Sequence, residues 1–214
     1  MGAPAGVVFY AIAVLVLGVL LPWYLSFGFF DAAILIAYAC LSVMLVPPVV
    51  AESFADDQWK AAVANSANPR AILHAKVAAG ALHGWISTVL IFTLAMLTTS
   101  AATRRWTVPS WGVLFDLAVI SFAVSVFAAS GAAAISVRAK SAKQAKRTLR
   151  QAFLLLLVIV IYGSRYLPGG WRVAISERFN AIALIACAGL LIVAAGFLKL
   201  ARVRAEDTEI RLEI

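Results

Sequence analysis

Charged residues are scarce in this sequence. Of its 214 residues only 13% are charged, whereas 64% are hydrophobic and the mean hydropathy is +0.96. Soluble globular domains have about 25% charged residues, so this deficit excludes an ordinary soluble protein and predicts a membrane protein.

Residues and motifs for disulfides, metal binding and nucleotide binding are also few. Cys40 and Cys187 fall inside apolar runs and are expected to be small buried side chains, so a disulfide framework is excluded. His74 and His83 are nine apart, with no H-E-x-x-H pattern. No G-x-x-x-x-G-K-[ST] motif occurs, and the clustered acids or catalytic sets of membrane-embedded enzymes are missing. We therefore expect no enzymatic activity, no metal site and no cofactor on this chain.

Long apolar runs are what the sequence has instead. A helix needs about 20 mostly apolar residues to cross roughly 30 Å of hydrocarbon. Six runs approach this length, at 6–25, 29–50, 77–98, 112–137, 151–166 and 179–198. Residues 1–6 hold no Lys or Arg, so we expect the first run to be a span and not a signal peptide. The sequence predicts an all-α, polytopic membrane protein with six transmembrane helices, and residues 1–214 form a single membrane domain.

The positive charges predict the orientation of these spans. Thirteen of the eighteen Lys and Arg fall in 51–76, 138–150 and 199–214, which lie on one side of a six-span arrangement. By the positive-inside rule this side is the cytoplasm, together with both termini. Aromatic residues expected at the opposite membrane surface are Trp23, Tyr24, Trp106, Trp111, Tyr166 and Trp171. We expect a multi-pass protein of the inner (plasma) membrane, with no nucleic-acid partner.

The segment between the second and third runs is the longest stretch of mixed polarity in the chain. The proline pair at 47–48 cannot donate backbone hydrogen bonds, so we expect the second span to stop or bend there. Ser53 and Asp56 have the spacing of a capping box and predict a short helix over 54–65. Its polar face opens with Asp56 and Asp57, whereas a helix anchored in lipid headgroups usually presents Lys or Arg. We predict that this helix docks on a protein, with an interfacial anchor as the alternative.

A second helix is predicted directly after it. Asn68 and Pro69 suit the N-cap and the first helical position. The helix would then carry Arg70, His74 and Lys76 up into the third span.

At these positions the chain resembles the membrane subunits of type-2 ABC transporters, the ABC-2 (type V exporter-like) permeases. That family carries an acidic residue at the end of span two, a short cytoplasmic coupling helix, a proline, and a Lys at the start of span three. Here Glu52, the helix at 54–63, residues 68–70 and Lys76 match this pattern. The basic link SVRAKSAKQAKRTLRQ at 136–151 is similar to the family's link between spans four and five.

The resemblance implies a membrane subunit of an ATP-driven exporter. Two such subunits, identical or different, would form the pathway, and separate ATPase subunits would bind ATP and Mg. The residues that we assign to ATPase coupling are Glu52, Phe54, Asp56, Asp57, Trp59, Lys60, Arg70 and Lys76. A subunit similar to the haem-exporter type-B subunit of cytochrome c maturation is one alternative. A non-transporting scaffold that recruits a cytoplasmic protein is another.

Polar and small residues within the predicted spans are further candidates. Asp31, His83 and Asp116 are candidate pathway or interface residues, because ionisable groups in a bilayer are costly and usually functional. Gly80 and Gly84 have G-x-x-x-G spacing, which predicts close helix packing within the bundle or at a subunit interface.

Overall fold

A computed structural model describes residues 10–25, 38–55, 69–106, 108–137 and 179–212, with scattered helical residues between 144 and 155. Helix accounts for 94% and no strand occurs among the described residues, so the prediction of an all-α chain is confirmed. We name the helices α1 (Tyr10–Tyr24), α2 (Leu41–Ala55), α3 (Pro69–Thr103), α4 (Trp111–Ser136) and α5 (Phe179–Leu212).

Three of these helices are long and apolar enough to cross a membrane. They contain the apolar segments Arg70–Thr103, Trp111–Ser136 and Asn180–Val203, which match the predicted third, fourth and sixth spans. With about 1.5 Å per residue, the 35 residues of α3 extend about 52 Å, well beyond a hydrocarbon core of roughly 30 Å. The helix therefore reaches past the lipid, and its first two turns carry Arg70, His74 and Lys76 as predicted. The predicted span at 151–166 lies mostly outside the described residues.

The shorter helix α1 contains a π-helical turn at Val16–Leu20, which ends two residues before Pro22. Because Pro22 has no backbone N–H, the carbonyls one turn before it lose their helical donor. Tyr38 supplies a replacement donor, since its Oη donates to Leu17 O at 2.9 Å. Thr98 Oγ1 lies 3.1 Å from Gly18 O and 2.8 Å from Leu94 O of its own helix, so the two carbonyls share its one proton. Irregular backbone at membrane depth is tolerated when protein groups satisfy it in this way.

Helix α2, Leu41–Ala55, runs through both prolines at 47–48, so of the expected stop or bend at this pair the stop is wrong. Two helical hydrogen bonds are lost there, but α2 packs against both α3 and α4, which hold the helix in place. The predicted capping box is also wrong, because Ser53 lies inside α2. Its hydroxyl donates to Val50 O at 2.8 Å, one turn back along the same helix.

Helix α4 forms the centre of the described bundle, with α2, α3 and α5 packed around it. Ser110 starts it as an N-cap whose hydroxyl accepts from Val113 N. Small buried residues on α4 allow close approach, and three of its buried serines, Ser121, Ser125 and Ser130, donate to carbonyls of their own helix. Trp85 of α3 adds a hydrogen bond from Nε1 to the backbone oxygen of Ala118 at 3.0 Å.

Helix α5 is the most exposed of the long helices. Ile185 and Ile192, seven residues apart, are 73% and 74% exposed. Cys187 between them is buried as expected, whereas Cys40 is exposed at the turn before α2. A large exposed aliphatic face is what a bilayer, or a second helix within it, would cover.

Candidate functional site: the junction of α2 and α3

Helix α2 comes before residues 56–68 in the chain, and helix α3 comes after them. The contacts between α2 and α3 are therefore the contacts nearest to this segment that the structure describes. Lys76 Nζ, on the second turn of α3, donates to the carbonyl oxygen of Ser53 in the last turn of α2. A charged donor makes a stronger hydrogen bond to a backbone carbonyl than a neutral donor does, so this contact joins α3 to α2. We call this contact, together with the glycine packing below it, the α2–α3 junction.

Deeper along the same two helices, valine side chains of α2 pack directly against two glycines of α3. A Cβ added to Gly80 would overlap Val50 Cγ2, and a Cβ added to Gly84 would overlap Val46 Cγ2. The Gly84 site is closed on its other side too, since Ser125 Oγ of α4 would lie 3.2 Å away. The predicted close packing is confirmed as packing within the bundle, because both glycines are buried against α2 and α4.

An apolar core continues from the junction into every long helix. Its buried members come from α2, α3, α4, α5 and the 144–155 region, and they are Val46, Val50, Ala51, Leu73, Val77, Ala81, Ala128, Ala129, Ala132, Ala133, Ala145, Leu149 and Ala201. Alanines predominate on α4, so helix axes approach closely with little side-chain volume between them. Interiors packed to this degree transmit displacement instead of absorbing it.

The residues predicted for ATPase coupling fall into three groups. Glu52 lies in the last turn of α2, as expected of an acidic residue at the end of the second span. Phe54 lies in the same helix, although it was expected to start a separate one. Arg70 is exposed in the first turn of α3, and Lys76 forms the junction contact. The remaining four, Asp56, Asp57, Trp59 and Lys60, lie outside the described residues, as does Asp31.

The two remaining candidate pathway residues lie on different helices. His83 is exposed near the middle of α3, and its ring centroid is 5.9 Å from that of Tyr10. Tyr10 Oη in turn donates to Ser87 Oγ at 3.2 Å, so α1 covers this part of α3 with a polar contact. Asp116 is half-buried in the second turn of α4. Within the described residues, no hydrogen bond, ion pair or ring contact joins His83 to Asp116.

The side-chain contacts described above are packing contacts and hydrogen bonds between and within helices. No group of three His, Cys, Asp or Glu that could hold a metal ion occurs among them. Sequence reasoning missed the polar contacts made by Tyr38 and Thr98 to α1, although Pro22 one turn after Gly18 was a usable signal. Comparison of the chain with protein-family models, with curated proteins and with solved structures finds no match.

Proposed function

We propose that this chain is the membrane-spanning permease subunit of an ATP-driven exporter of the ABC-2 kind. Three described helices have the length and composition of membrane spans, and α1 with the runs at 29–50 and 151–166 would complete a bundle of six. Both termini and the 56–68 segment would face the cytoplasm, since most Lys and Arg fall on that side.

The observation that carries the proposal is the α2–α3 junction. A coupling segment can move spans only if the helices at its two ends respond together. Lys76 ties α3 to the end of α2, and the two glycine contacts leave no space for the helices to slide past each other. A displacement of residues 56–68 by a bound partner would therefore move α2 and α3 together, and the alanine-rich core would pass that movement on to α4.

The energy source would be a separate ATPase subunit, which binds ATP and Mg itself. Its docking surface on this chain would be the helix led by Asp56 and Asp57, which we assign to the coupling segment. Two permease subunits would enclose the pathway, and the exposed aliphatic face of α5 supports an additional helix contact there. ATP binding would close the ATPases and shift the permease between two states through the junction.

Purification in mild detergent, followed by identification of the co-purifying chains, tests this function. We expect a stoichiometric partner that contains a P-loop motif and hydrolyses ATP. Asp56→Lys with Asp57→Lys should release it, whereas the matched reversal Glu206→Lys with Asp207→Lys, on the same predicted side, should not. A partner without ATPase activity would favour a scaffold, and a haem-dependent stimulation of hydrolysis would favour the cytochrome c maturation alternative.

A further inference from the structure

We propose that the turn after α3 binds the phosphate of an anionic phospholipid. A surface groove of about 300 Å³ lies at this turn, and its lining combines two cations, an aromatic ring and an apolar floor. The lining residues are Leu97, Ser100, Ala101, Arg104, Arg105 and Trp106. This site lies at the opposite end of α3 from the junction, and it does not depend on the proposed transport function.

The depth of the groove matches that of a lipid headgroup. The predicted third span ends at residue 98 and α3 ends at Thr103, so Arg104 and Arg105 lie about two turns beyond the predicted edge of the hydrocarbon. Trp106 next to them is 80% exposed, as aromatic residues at a membrane surface usually are. Leu97 lies about two turns deeper and is 46% exposed, so an acyl chain extending from a bound headgroup would lie against it.

The charge of the groove favours an anion. Both guanidinium groups are exposed, and within the described residues neither has an acidic partner. Arginine binds phosphate with two parallel hydrogen bonds and is the cation best suited to this geometry. The turn also lies on the side of the membrane where Lys and Arg are few, so the two arginines do not serve as a positive-inside signal.

Arg104 also has an unusual backbone conformation. It has a φ of 53°, the left-handed conformation that glycine adopts at the end of a helix, and its N–H donates to Ala101 O at 3.3 Å. A side chain at this position is strained, and glycine would relieve the strain. A strained residue whose side chain lines a charged groove is more consistent with binding than with folding.

Native mass spectrometry of the protein in detergent, titrated with phosphatidylglycerol or phosphatidylcholine, measures the binding. Arg104→Gln with Arg105→Gln should weaken the tightest phosphatidylglycerol site about 30-fold, from about 5-fold per cation near an anionic headgroup. The charge-matched control Arg147→Gln with Lys199→Gln, exposed cations on the other predicted side, should keep that site. Equal affinity in the Arg104 and Arg105 variant and the wild type, or equal loss of both lipids, would overturn the proposal.

Two further variants separate binding from folding and lipid from free phosphate. Arg104→Gly should lose affinity about 5-fold while the protein stays at least as resistant to unfolding; a less stable protein with unchanged affinity would make Arg104 a structural cap only. Ala101→Trp fills the exposed floor without changing charge, and it should weaken lipid binding. If inorganic phosphate displaces phosphatidylglycerol at equal concentration, the site binds free phosphate and is not a lipid site. If the Ala101→Trp variant binds phosphatidylglycerol as tightly as the wild type does, the site is not a lipid site either.

Discussion

Gly84 offers the sharpest test of the α2–α3 junction, because it has no room for one additional carbon. A Cβ there would overlap Val46 of α2 on one side and lie 3.2 Å from Ser125 Oγ of α4 on the other. Moving α3 away from α2 would therefore press it against α4, so a small shift of α3 cannot relieve the overlap. Val46 is β-branched and precedes a proline, which limits its alternative rotamers. Inserting a methyl group into such a site costs about 1–3 kcal/mol.

The matched control for Gly84→Ala is the same substitution at Gly189 of α5, where an added Cβ meets nothing within 4 Å. Both variants gain the same helix propensity, about 1 kcal/mol, so the difference between them isolates the packing cost. The free energy of unfolding can be measured in mixed micelles with SDS as the denaturant and the helical circular dichroism signal as the probe. We expect it to be about 1–3 kcal/mol lower for Gly84→Ala than for Gly189→Ala.

A second substitution checks the cause of that loss. Val46→Ala removes the methyl groups that obstruct the added carbon, so the double variant should recover part of the loss, with a coupling free energy of about 1–2 kcal/mol. Equal stability of Gly84→Ala and Gly189→Ala, or strict additivity of Val46→Ala with Gly84→Ala, would refute the close contact described here.

Two polar contacts between helices give further predictions in the same unfolding assay. Lys76→Met removes the donor to the last turn of α2 and should cost about 1–2 kcal/mol, whereas Lys199→Met, an exposed lysine on α5, should change stability by less than about 0.5 kcal/mol. Thr98→Val removes a hydroxyl that is shared between the π-helical carbonyl of Gly18 at 3.1 Å and Leu94 O of its own helix at 2.8 Å, and it should cost about 1–2 kcal/mol. Thr93→Val is its control, because that exposed hydroxyl contacts only its own helix; equal effects within either pair would contradict the assigned contacts.

Hydropathy and cap residues predict the long helices well. The third and fourth spans are predicted at 77–98 and 112–137; α3 contains the first range, and α4 contains the second except for its last residue. Pro69 lies in α3, where its fixed φ and missing N–H suit a position near the start of a helix. These features are local, and neighbouring helices do not have to be known to infer them.

Features that depend on neighbouring helices were predicted less well. The proline pair at 47–48 disfavours a helix locally, yet α2 continues through it because packing on α3 and α4 compensates. Ser53 was expected as an N-cap for the same local reason, and instead it lies inside the continued helix. The spacing of Gly80 and Gly84 predicted close contact, but only the structure identifies Val46 and Val50 as the opposing residues.

ATP hydrolysis by the complex in nanodiscs is the most direct test of the central claim, that residues 56–68 couple an ATPase to the bundle through the junction. The wild-type chain should stimulate its partner ATPase, Asp56→Lys with Asp57→Lys should reduce hydrolysis to the rate of the isolated ATPase, and Glu206→Lys with Asp207→Lys should retain the stimulated rate. Full stimulation by the Asp56 and Asp57 variant, or no stimulation by the wild-type chain, would contradict the account.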